Sequence, residues 1–144
     1  MKQALSIVFA AFFAVAASAQ QAPEPLPEGL VQPAGSADLS QFAWKNRLLI
    51  VFAESENDPR FEEQMRLIEQ RPGDLVERDV LVITDTAPAE AGPLRLKFRP
   101  RGFMLVLIGK DGNVYLRKPR PWKVREISRS IDKMPIRREE MRNR

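Results

Sequence analysis

Apolar side chains in this chain follow two rhythms, and the switches between them outline the fold. Continuous apolar runs of strand length stand at Leu48–Phe52, Val80–Ile83 and Phe103–Ile108. A run without alternation marks a strand buried on both faces. Val114–Arg117 alternates instead, as a half-exposed strand does, and Asp111-Gly112 between it and the preceding run predicts a tight hairpin. The helical rhythm appears twice, as Phe61, Met65, Ile68 and as Val124, Ile127, Ile131, Met134. Asp58-Pro59 supplies an N-cap and a proline for the first of these helices, and Arg71-Pro72-Gly73 ends it. Pro121 is expected to open the second and Pro135 to close it, leaving Ile136–Arg144 as a basic tail. Asp38–Trp44 and Leu94–Phe98 read as short helical turns, and Thr84–Pro93 as a loop.

The order is β-α-β, a connection, then β-β-α. The first connection is long enough for a right-handed crossover between parallel strands, and the hairpin makes the second pair antiparallel. The expectation is an α/β domain of thioredoxin-like arrangement, with a mixed four-stranded sheet and flanking helices.

The N-terminus changes the picture of where this domain works. Lys2 is followed by a charge-free stretch from Ala4 to Ala16, and then by Ala17-Ser18-Ala19, a small-x-small cleavage pattern. Residues 1–19 are therefore expected to be a secretory signal, with Gln20 as the new N-terminus. The apolar run falls short of the ~20 residues that span a bilayer, so no transmembrane segment is expected after cleavage; a retained anchor is the competing reading. Residues 20–37 are proline-rich and lack basic residues, and read as a disordered spacer. The ordered domain is expected over residues 38–144, and the location in the periplasm or outside the cell.

Composition narrows the chemistry. The chain has no cysteine and no histidine. This excludes thiol–disulfide exchange, cysteine-based peroxide reduction, Ser-His-Asp hydrolysis, His-ligated metals, and haem held through Cys or His. No cofactor or metal is expected. Charge is unevenly placed: Gln20–Leu94 carries six basic and fourteen acidic residues, Arg95–Arg144 sixteen basic and five acidic. Such a division marks either a surface for an anionic partner or opposite charges that meet in the fold.

A spaced set of residues also resembles a family. Trp44-Lys45-Asn46-Arg47, Asp58-Pro59-Arg60, Glu77-Arg78-Asp79, Gly102-Phe103, Leu107–Gly112, Leu116-Arg117, Ile131-Asp132, Met134-Pro135, Arg137-Arg138 and Glu140-Met141 are similar to the bacterial DUF4174 family, a domain of unknown function. The resemblance implies a thioredoxin-like, exported domain, with similar domains in some animal extracellular-matrix proteins. It carries no activity to any residue. Phe52–Pro59 is similar to the strand-to-helix turn of thioredoxins, where two cysteines sit three apart; those positions fall here at Glu56 and Pro59. The proline that precedes the third strand in thioredoxins corresponds to Gly102 or Phe103. Both departures argue against redox function.

Candidate contact residues fall in two groups. Glu56, Asn57, Asp58 and Arg60 lie at the turn into the first helix, where carboxylates cap free N–H groups. That turn reads as a capped, solvated loop, as an oxygen-ligand site for a hard cation, or as a docking surface. Arg117, Arg120 and Trp122 belong to a basic run with an interleaved aromatic. That run could meet anionic envelope polymers or lipid headgroups, while Trp122 is expected to pack on the core. Phe42 and Trp44 read as lids on a sheet edge. Three functions follow: a non-catalytic binding module meeting another envelope protein, a basic surface for anionic polymers or lipids, and a hydrolase using carboxylates. The first is preferred, no enzyme activity is expected, and nucleic acid is not an expected partner.

Overall fold

Arg47–Phe52, every residue of it buried, forms the central strand β2 of a five-stranded sheet. The computed structural model describes residues 25–144, so the signal sequence and the first spacer residues lie outside the described residues. The other strands are β1 (Val31–Pro33), β3 (Val80–Asp85), β4 (Met104–Ile108) and β5 (Val114–Lys118), in the order β1-β3-β2-β4-β5. β2 runs parallel to β3, and β4 lies antiparallel to β2 and β5. The crossover and the hairpin are thus as the apolar runs imply. Gly112 takes φ +80° in the hairpin turn, a conformation glycine adopts without steric cost.

The sheet has a fifth strand where a disordered spacer was expected. Val31–Pro33 pairs parallel with Val82–Thr84, flanked by Val82 N–H donating to Leu30 C=O and Ala34 N–H to Thr84 C=O, both at 2.8 Å. Leu30 and Ala34 are buried with it. An edge position tolerates Pro33 because a proline there breaks no ladder on its outer side. Three residues among prolines leave no alternation to read.

The two faces of β2 divide the core. Leu49, Val51 and Ala53 pack with Val82, Leu105 and Leu107 under α1 (Pro59–Gln70), α2 (Pro72–Val76) and α4 (Val124–Asp132). Leu48, Ile50 and Phe52 pack with Ile83, Val106 and Ile108 under α3 (Pro93–Phe98) and Phe42. Burying each of the valine, leucine, isoleucine and phenylalanine side chains among these contributes about 1.5–3 kcal/mol. Phe42 behaves as the expected lid, but Trp44 does not: it is 71% exposed and sits at φ +63°.

Two prolines read as stops are also starts. Pro72 ends α1 and opens α2; Pro135 ends the α4 segment and opens α5 (Pro135–Arg142), so the tail is a helix. Proline at the first helical position loses no hydrogen bond, because that N–H has no partner in any helix. Pro121, conversely, does not open α4, which begins at Val124. Buried Gln64 explains this: its amide accepts from Trp122 N–H at 2.9 Å and donates to Trp122 C=O at 3.0 Å, holding that residue outside the helix.

Helix α5 closes an ion network at the Arg47 end of the sheet. Arg47 and Arg137, each 1% exposed, both reach Glu140, at 3.3 and 3.5 Å. Lys110 Nζ joins Glu140 at 2.7 Å and Asp79 at 2.8 Å. Arg78 grips Asp132 through two bonds of 2.9 Å, and Arg137 also meets Asp132 and Glu77. Arg78 chiefly holds the Asp132 carboxyl below its usual range. At Glu140 burial works the other way, but the Lys110 bond and the Arg47 charge outweigh it and hold that carboxyl low too. All eight charged groups belong to the residues that carry the family resemblance. Opposite charges from the two halves of the chain do meet here.

Candidate functional site

The chain leaves β2 at Ala53 and turns through Glu54–Asn57 into α1, at the C-terminal ends of the parallel strands. Asp58 caps the helix: its Oδ1 accepts from Arg60 N–H at 2.9 Å, and its carboxylate holds the Arg60 guanidinium at 3.2 Å. The Arg60 side chain chiefly keeps the Asp58 carboxyl below the ordinary range. Pro59 is the first helical residue, so its missing N–H costs nothing.

The acidic residues of the turn diverge. Glu54 accepts from Gly102 N–H at 3.2 Å, tying the turn to the loop before β4. Glu56 lines a crevice of about 120 Å³ at the ends of β1 and β3, beside Asp85 and Glu90. Asn57 is exposed. Among the described residues no three carboxylates are gathered to hold a metal ion. Asp85 is buried, but Arg95 neutralises it: Nη2 donates to Oδ1 at 2.9 Å and Nε at 3.1 Å. Arg95 also caps Ala53 C=O at 3.0 Å and lies 5.5 Å from the Phe52 ring, bracing the strand end beneath the turn. Ser130 and Lys133 stand in S-x-x-K spacing, yet the Ser130 hydroxyl donates to Glu126 C=O one turn back.

Across the turn lies a second concavity, a groove of about 310 Å³ between the α3–β4 loop and the end of β5. Phe98, Phe103 and Met104 form its floor, and Arg99, Arg101, Arg117 and Lys118 its rim. Arg117 stands 5.2 Å from the Phe98 ring and donates to Phe98 C=O at 3.4 Å; Arg60 stands 5.8 Å from the Phe103 ring. The structure thus places Arg117 in the groove and Arg60 over the Phe103 ring at its border, and leaves Glu56 and Asn57 away from it. Arg120 is exposed just beyond the end of β5. Trp122 packs on the core as expected, with Lys118 Nζ 4.4 Å from its ring.

Arg99, Arg101 and the apolar floor were not among the residues singled out from the sequence. The signal was there in Arg99-Pro100-Arg101: proline keeps two close arginines out of a helix. Arg99 itself sits at φ +47° and ends α3. Among the described residues Arg99, Arg101, Arg117, Lys118 and Arg120 join no ion pair.

Sheet order, crossover and the strand-to-helix turn define a thioredoxin-like protein. Solved structures of similar fold include the reduced 2-Cys peroxiredoxin of Plasmodium vivax and thioredoxin peroxidase I of Plasmodium yoelii. The first matches with a TM-score of 0.55 and 17% identity, over 73% of this chain and 85% of that one. The second matches with a TM-score of 0.51 and 18% identity, over 72% and 80%. At such identity the likeness is one of fold. The chain belongs to the DUF4174 family, a domain of unknown function, whose model matches residues 38–140.

Proposed function

We propose that this protein is an exported, non-catalytic thioredoxin-like module that works by binding, with the sheet end around the β2–α1 turn as its contact face. One observation carries the reading: the strand-to-helix turn is kept, its resemblance to thioredoxins puts Glu56 and Pro59 at the dithiol positions, and the chain has no cysteine. Two concavities flank that turn, which suits contact with a partner. The hydrolase alternative finds little support, because Glu54, Asp58 and Asp85 are each engaged by a neighbouring donor.

The test is turnover. Purified protein should leave insulin disulfides and hydrogen peroxide at background rates, and turnover proportional to protein concentration would overturn the reading. Export is tested by sequencing the secreted protein: the expected first residue is Gln20, and material starting at Met1 in the cytosol contradicts it.

A second reading, contact with an anionic surface, is favoured by the unpaired cations of the basic groove.

A further inference from the structure

We infer that the groove between the α3–β4 loop and β5 receives the phosphate of a lipid headgroup at an anionic membrane surface. This rests on the binding-module reading and assigns that module a ligand. Three features of the groove point there together.

The first is the state of its cations. Arg99, Arg101, Arg117 and Lys118 have no carboxylate partner among the described residues, whereas the buried arginines at the other end of the sheet are all matched. Arg117 is held by ring contact and a carbonyl, which keeps its position without consuming its charge. A guanidinium placed this way keeps N–H groups for a phosphate, which it can grip through two bonds. Clustered Lys and Arg at a surface are attracted to anionic lipid.

The second is apolar surface where a soluble anion needs none. Met104, half-buried, lines the floor beside the buried Phe98 and Phe103. Leu96 is 62% exposed on α3, one helical turn before Arg99. An exposed leucine three residues before an unpaired arginine suits the boundary between headgroups and acyl chains.

The third separates lipid from nucleic acid. A single strand needs ring faces on which bases stack. Here Phe98, Phe103 and Trp122 each already carry a cation, from Arg117, Arg60 and Lys118. Phe98 and Phe103 are also buried. The charge remains available to a ligand and the stacking faces do not.

The experiment is co-sedimentation of the secreted, processed protein with phosphatidylglycerol-rich and with phosphatidylcholine vesicles at low salt. About tenfold stronger partition to the anionic vesicles is expected. Arg99→Glu with Arg101→Glu should remove it, and Leu96→Ser should weaken it about threefold. Lys133→Glu with Arg138→Glu makes the same charge change outside the groove, at exposed positions that join no ion pair among the described residues, and should alter partition less than about twofold. Circular dichroism confirms that each variant is folded. Equal loss in both charge pairs would show net charge at work and overturn the groove. So would equal partition to both vesicles, full displacement by inorganic phosphate at matched phosphate concentration, or preference for an oligonucleotide or an acidic peptide. Loss of vesicle binding together with background turnover would remove the lipid ligand alone. Redox turnover would remove the binding module itself.

Discussion

Arg47 and Glu140 stand 93 positions apart in the chain and meet at 3.3 Å, with the arginine 1% exposed and anchored to Arg78 C=O at 2.9 Å. Each end of the domain thereby fixes the other. The first residue of the central strand is neutralised by the last helix, and Glu140 also serves Arg137 and Lys110. Taking two charges out of water is unfavourable by itself, so the pair gives strong dependence on its partner rather than large net stability.

Glu140→Ala should therefore destabilise the protein by about 3 kcal/mol, by stranding buried positive charge. Joint replacement, Arg47→Met with Glu140→Leu, should cost less than the single change. Urea denaturation of the two variants checks the ordering, and an equal or larger loss in the double variant would refute it.

The same network sets an acid limit. Asp132 and Glu140 are held below their unfolded values, so the unfolded chain binds more protons as pH falls. Their stabilisation is complete above about pH 5, beyond the unfolded values near 4, and is lost as pH falls through the lower folded values. The urea midpoint should be flat from pH 7 to about 5 and should fall below about pH 4. In Asp132→Asn with Glu140→Gln the fall should be shallower; an unchanged slope would mean other carboxylates carry it.

Gln64→Ala should cost about 2–3 kcal/mol, because it leaves both polar groups of the Trp122 backbone without partners as well as removing the side chain. Hydrogen exchange at the Trp122 amide should rise more than exchange in β2. An unaltered Trp122 amide would show that water takes the place of the glutamine.

Gly92→Ala tests how closely the entry segment is strapped to the domain. A Cβ at Gly92 would lie 2.7 Å from Gly35 C=O, a backbone atom that cannot swing away. The expected loss is about 1–3 kcal/mol. Proteolysis should then begin near residues 30–36, and unchanged protection there would contradict the strap.

The central strands were legible because burial on both faces writes itself as unbroken apolar runs, as in Leu48–Phe52 and Phe103–Ile108. The cap at Asp58-Pro59 was legible because its chemistry is local. What escaped had two causes. β1 is held by backbone bonds to β3, which impose no side-chain pattern on three residues among prolines. The second cause is ambiguity: proline ends one helix and starts the next equally well, so Pro72 and Pro135 gave half their meaning. Arg137 reads as a tail charge until Asp132, Glu77 and Glu140 surround it. The turn at Glu56–Arg60 was located from sequence, but Met104 nears Arg117 only through the β4–β5 register, and Phe98 only because α3 packs on that face of the sheet.

The ion network at one end of the sheet cancels its own charge, whereas the opposite end holds charge of the two signs apart. There the acidic crevice sits over β1 and β3 and the basic groove over β4 and β5, roughly 15 Å away by strand spacing. That separation exceeds the ~8 Å over which charge is felt at physiological salt, so the two sides answer an approaching surface independently. A negatively charged plane pulls one side and pushes the other, which is a torque. On the lipid reading the domain should tip its β5 side inward before touching, and at about 1 M salt, where the range shrinks to ~3 Å, that orientation should be lost.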